Sequence, residues 1–139
     1  MVRASYLQIY NEVISDLLKP EWNSLQIRED KKKGVFVEGL SEWKVRSPRD
    51  IFQLMKDGDR NRATAATRMN DVSSRSHAVF IIIVEQMTQF EVFNKKTKQN
   101  EIAKEIKVGK LNLVDLAGSE RVSVTGATGK RLEESKNIN

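Results

Sequence analysis

The sequence predicts an α/β fold: a mixed, mainly parallel central sheet flanked by helices, with a β-ribbon and a long β-hairpin. Three features carry that expectation. Leu111, Leu113, Val114 and Leu116 form the nearly continuous apolar run of a strand buried on both faces. Residues 1–47 hold several short strand patterns broken by polar or glycine turns. Residues 47–55 then carry a complete helix start followed by apolar side chains at helical spacing.

Taken in chain order, residues 6–10 alternate as a strand, and residues 25–27, 35–37 and 43–45 read as short strands. Together the short ones suggest a β-ribbon at one end of the sheet. Ser47 precedes Pro48, with Asp50 three residues after the serine, which combines an N-cap, a first-turn proline and a capping-box-like acid. Ile51, Leu54 and Met55 follow on one helical face, so they are expected to pack on the sheet rather than to touch a ligand. Gly58 weakens this helix without necessarily ending it. Residues 78–87 and 106–117 flank the polar segment 89–105, which predicts an antiparallel hairpin with a long tip. Residues 97–100 are its least ordered part by composition, and Lys95, Lys96 and Lys98 read as a solvated loop. From residue 129 or 130 onward, Leu132, Glu133, Glu134 and Lys136 read as the start of another helix.

Composition bounds the chemistry. A chain of 139 residues, 39% hydrophobic and 31% charged, holds one modest core. It has no cysteine and one histidine, so thiolate sites and histidine clusters are excluded and any metal must be held by oxygen. No run approaches the roughly 20 apolar residues of a membrane span, and the first residues lack a signal-peptide core, so a soluble, intracellular chain is expected. A net charge of +5 and a pI near 9.5 call for an acidic partner without saying which.

Residues 111–121, LNLVDLAGSER, carry the most specific chemistry. Asp115 falls where the apolar run ends, placed to hold a hydrated Mg²⁺. Three residues on, Gly118 lets the backbone come close enough for its N–H to meet a phosphate oxygen. A D-x-x-G pattern alone more often just ends a strand in a turn. It gains meaning from residues 70–77, NDVSSRSH, which precede a second apolar strand at residues 78–84. The pair N-x-x-S-S-R-S-H and D-L-A-G-S-E resembles switch I and switch II of the kinesin motor domain.

The resemblance runs almost end to end. Residues 5–18 (SYLQIYNEVISDLL) resemble that family's strand and short helix after the nucleotide-site helix, and residues 34–47 resemble its following β-ribbon. Residues 61–70 resemble the end of the helix before switch I, and residues 125–139 the loop and helix after switch II. Only residues 90–105 lack a specific match. The sequence from Gly126 to Lys130 superficially suggests a phosphate-binding loop, but G-x-x-x-x-G-K-[ST] needs glycine where Val124 stands and serine or threonine where Arg131 stands. No P-loop occurs in the 139 residues. The resemblance places it upstream of Met1, and the neck and remaining helices downstream of Asn139. The chain is therefore expected to be the central part of one kinesin-type P-loop NTPase motor domain. Its strand at residues 111–116 should leave bare the edge that pairs with the P-loop strand, and the segment alone should bind ATP negligibly.

The resemblance also implies roles. Ser74 would complete a Mg²⁺ shell, Asp115 would hold a Mg²⁺-bound water, and Gly118 N–H would report the γ-phosphate of ATP. Asn70 and Ser73 would help place the attacking water. Arg75 and Glu120 match the pair that joins the two switches and assists proton relay, whereas His77 is better explained by local hydrogen bonding. The acidic partner would be the microtubule, with a cytoplasmic, cytoskeletal location. Lys31, Lys32, Lys33, Lys44, Arg46, Lys130 and Arg131 are the candidate contacts. Glu38 and Trp43 depart from the basic residues common in the ribbon. Two other classes stand beside this one. The first is a non-catalytic kinesin-derived microtubule-binding or regulatory protein. The second, a basic nucleic-acid-binding domain, is disfavoured by dispersed charge and an aromatic content of 6%.

Overall fold

The structure, a computed structural model, describes residues 1–21, 23–31, 34–66 and 73–118. Its elements in order are β1 (Val2–Tyr10), β2 (Val13–Asp16), β3 (Asn23–Asp30), β4 (Gly34–Glu38), β5 (Trp43–Val45), α1 (Pro48–Ala66), a 3₁₀ turn (Ser73–Arg75), β6 (His77–Asn94) and β7 (Gln99–Asp115).

The strand order β4-β3-β2-β1-β6-β7, with β5 also on β1, overturns the expected mainly parallel sheet. Every strand pairing among the described residues is antiparallel. The expected flanking helices reduce, among these residues, to α1 alone. The physical reason lies in β7. Its apolar run was read as burial on both faces, yet Leu111, Val114 and Leu116 are 54%, 56% and 69% exposed. The run reports an appetite for burial and says nothing of a neighbour's direction. The direct hairpin connection to β6, expected from the sequence, makes that ladder antiparallel, and among the described residues β7 ends the strand order with only β6 beside it.

The β-ribbon and the long hairpin both form. β3 and β4 pair from Gln26↔Glu38 to Asp30↔Gly34. The β6–β7 ladder runs unbroken from Ala78↔Asp115 to Asn94↔Gln99, so the expected long tip shrinks to the turn at residues 95–98. Asn94 closes that turn: its carbonyl accepts from Lys98 N–H at 2.8 Å and its side-chain oxygen from Lys96 N–H at 2.9 Å.

Helix α1 begins as its sequence dictates. Asp50 N–H donates to Ser47 Oγ at 3.4 Å, and Asp50 Oδ2 accepts from the backbone N–H groups of Ser47 at 3.1 Å and Arg46 at 2.8 Å. The Arg46 amide is the main reason the Asp50 carboxyl is held below its ordinary range. A depressed carboxyl contributes stability that is complete above the ordinary aspartate value of about 3.9 and lost as pH falls through the lower folded value. Thermal unfolding against pH should show part of its acid decline removed by Asp50→Asn; an unchanged acid limb would contradict this capping role.

Ile51, Leu54 and Met55 pack against a core of Ala4, Tyr6, Leu17, Val45, Ala78 and Phe80, as expected. The Tyr6 and Phe80 rings meet edge-on at 5.2 Å. Gly58 does not end the helix, and it packs directly under the Tyr6 ring: a Cβ there would stand 2.2 Å from Tyr6 Cδ1. The phenol is fixed too, donating to Asp59 Oδ1 at 2.7 Å. Burial, then that bond, pushes its ionisation well above the ordinary tyrosine range. Overpacking in Gly58→Ala costs about 1–3 kcal/mol, against roughly 1 kcal/mol that alanine adds in helix propensity, so a net loss of up to about 2 kcal/mol is expected. Urea unfolding checks this, and a stabilised variant would contradict the close packing.

Candidate functional site

The two sequence motifs meet at one end of the β6–β7 ladder. The first motif's serines and arginine form the 3₁₀ turn Ser73–Arg75, which leads into β6. The second begins where β7 ends, at Asp115. Ala78 pairs with Asp115 in the ladder, so the residues before Ala78 and those after Asp115 emerge side by side.

Backbone and side-chain hydrogen bonds then join them. Gly118 N–H donates to the Ser74 carbonyl at 2.8 Å. Ala117 N–H donates to His77 Nδ1 at 3.1 Å, so this imidazole accepts through Nδ1 and serves the local structure. Ser74 and Arg75 are half-buried, and Gly118 is half-buried beside them.

A third connection comes from a residue that sequence reasoning passed over. Arg62 of α1 is 7% exposed, and its guanidinium reaches both motifs. Nη1 donates to Asp115 Oδ2 at 2.7 Å, Nη2 to the Ser76 carbonyl at 2.8 Å and Nε to Ser76 Oγ at 3.2 Å. A buried guanidinium keeps its charge and needs such acceptors. The signal was present in the helical spacing: Arg62 continues the inward face of Ile51, Met55 and Gly58 at steps of four, three and four residues. A cation on an otherwise core-facing stripe calls for a buried anion or carbonyl.

Asn70, Glu120, Lys32, Lys33, Lys130 and Arg131 lie outside the described residues. Lys31, Lys44 and Arg46 are exposed; Lys31 follows β3, whereas Lys44 sits in β5 opposite Arg3, and among the described residues β5 pairs with β1 alone. The ribbon strands and β5 thus hold these cations on separate elements. Glu38, one of the departures, pairs with Arg28 at 3.0 Å across the ribbon and offsets a positive charge there.

The oxygen donors suit a hard cation. Ser74 brings a hydroxyl, and the Asp115 carboxylate is 71% exposed while meeting Arg62 through Oδ2. Among the described residues no three His, Cys, Asp or Glu side chains gather as a metal cage. A Mg²⁺ ion here would therefore draw most of its shell from phosphate and water, as Mg²⁺ at nucleotide sites does. A groove lined by Arg3, Phe36, Val37, Ile81, Ile83 and Val108 takes in none of the motif residues.

Comparison with known proteins is consistent along the whole chain. The kinesin motor domain family model matches residues 1–139. Kinesin-like protein KIF13A from Homo sapiens is 50% identical over 140 residues, covering 99% of this chain and 7% of that protein. The kinesin heavy chain of Caenorhabditis elegans is 48% identical over 138 residues, covering 99% of this chain and 16% of its own. A solved fast kinesin, described for its ATPase mechanism and interactions with microtubules, superposes with a TM-score of 0.77 at 46% identity, over 99% of this chain and 35% of that one. A KIF14 dimer with AMP-PNP in complex with a microtubule gives 0.74 at 39% identity, over 99% and 38%. The chain thus spans well under half of the relatives it matches. It belongs to the kinesin motor domain family.

Proposed function

We propose that these residues are the central, switch-bearing part of a microtubule-based motor domain, which couples ATP binding and hydrolysis to microtubule binding and movement. The observation that carries the proposal is the hydrogen bond from Gly118 N–H to the Ser74 carbonyl, which makes the two motif segments one mechanical unit. The KIF14 dimer solved with AMP-PNP in complex with a microtubule supports the same ligands here.

Bound Mg·ATP supplies the transferable γ-phosphoryl group and a cation that neutralises its charge. The chain's own residues do the sensing. Ser74 and Asp115 are the residues that would hold the cation. Gly118 N–H exchanges the Ser74 carbonyl for a phosphate oxygen, which alters the spacing of the two segments. Ser73 and Asn70 orient the attacking water, and Arg75 with Glu120 latches the closed state and carries its proton away. Lys31, Lys32, Lys33, Lys44, Arg46, Lys130 and Arg131 steer the acidic microtubule surface toward the motor, which places the protein on the cytoskeleton.

Cosedimentation of the complete motor domain with microtubules tests the coupling. Binding should be tight with AMP-PNP and weaken by about tenfold or more with ADP, a difference of roughly 1.4 kcal/mol. Equal binding in both nucleotides would contradict it.

A further inference from the structure

The sheet row that carries Asp115 holds a second oxygen acceptor that is empty. Gln8 on β1 is 9% exposed, and among the described residues its Oε1 has no hydrogen-bond partner. Buried acceptors are seldom left unfilled, because desolvation without a partner is unfavourable. Strand register places it: Gln8 pairs with Ala78, and Ala78 pairs with Asp115. Directly paired residues share a face, so Gln8 and Asp115 flank Ala78 on one side of the sheet.

That side is the one α1 covers. The next row along is Tyr6, Phe80 and Leu113, and Tyr6 packs on Gly58. Arg62 comes from the same helix to bind Asp115 and Ser76. The residue between the two acceptors, Ala78, carries only a methyl group. The row therefore has an acceptor on each side of Ala78, one taken by Arg62 and one vacant.

We propose that Gln8 is a positioning residue of the nucleotide sensor, whose Oε1 receives the Arg62 guanidinium when Asp115 turns to a Mg²⁺-bound water. This rests on the reading of Asp115 given above. A buried guanidinium cannot shed its proton, and the N–H that loses the Asp115 carboxylate calls for another acceptor. Ser76 anchors the guanidinium during the exchange, and Gln8 completes its shell afterwards.

The test measures the Mg²⁺ concentration that half-saturates retention of ADP by the complete motor domain, without microtubules and without turnover. Gln8→Met removes the acceptor at similar volume and should raise that concentration by about tenfold, the scale of one hydrogen bond to a charged group. Gln8→Glu offers Arg62 a stronger acceptor, frees Asp115 and should lower it. A packing role moves both variants the same way. Values within twofold of the parent, or shifts of equal sign, would overturn the proposal. Should the methionine variant not fold, an unchanged or raised value for Gln8→Glu would overturn it alone. A parent that shows no Mg²⁺-dependent ADP binding would overturn the nucleotide reading itself, and with it this one.

Discussion

In the complete motor domain, Arg75→Ala or Glu120→Ala is expected to leave ATP binding nearly unchanged while microtubule-stimulated hydrolysis falls by about 10² or more. The size follows from what the pair does on this account. A guanidinium and a carboxylate can make two parallel hydrogen bonds, which hold the closed arrangement, and removal of a positioned proton relay costs about 10²–10⁴ in rate. Arg75 stands in the 3₁₀ turn whose Ser74 carbonyl already binds Gly118, two residues before Glu120 in sequence. A surface ion pair of ordinary kind is worth about 0–1 kcal/mol and would leave turnover intact. Fluorescent-nucleotide binding and steady-state turnover separate the two cases, and normal turnover in either variant removes the latch from the mechanism.

The second large effect concerns stability. Asp16 ends β2 with 1% exposure, and three backbone donors converge on it. Oδ1 accepts from Leu18 N–H at 2.8 Å and Lys19 N–H at 3.1 Å; Oδ2 accepts from Ser41 N–H at 2.8 Å. The carboxylate thus ties the turn after β2 to the segment entering β5. Asp16→Ala strands all three donors, each at about 1–3 kcal/mol where water cannot replace the carboxylate, so a loss of about 3 kcal/mol or more is expected. Against typical stabilities of about 5–15 kcal/mol that is a large fraction. Urea unfolding with unchanged m reads it directly, and a loss below about 1 kcal/mol would show that these bonds are dispensable.

What could be read from the chain differed by the range of the interaction involved. The helix start is local: Ser47, Pro48 and Asp50 specify it within four residues, and the reciprocal cap forms. The hairpin partners were legible because the two apolar runs adjoin in sequence. Its length was not, since Phe90, Val92, Ile102 and Ala103 continue the ladder through a segment whose polar residues suggested a loop. The hairpin's antiparallel direction was legible too, but the mainly parallel character expected of the whole sheet was not correct, because an apolar run such as that at residues 111–116 is the same whether its neighbours run parallel or antiparallel. The motif residues were visible as a pattern. Their junction was only partly so, because Arg62 reaches Asp115 across 53 residues of chain and Gln8 shares a row with Asp115 only through strand register, with no local signature beyond a polar group on a core-facing stripe.

The central claim is that these two segments sense the γ-phosphate and pass the result to a microtubule. Steady-state ATP hydrolysis by the complete motor domain, with and without microtubules, tests it most directly. Slow turnover alone and a rise of at least about tenfold with microtubules are expected, a change of roughly 1.4 kcal/mol in the barrier. Turnover that stays the same while the motor cosediments with microtubules would contradict it.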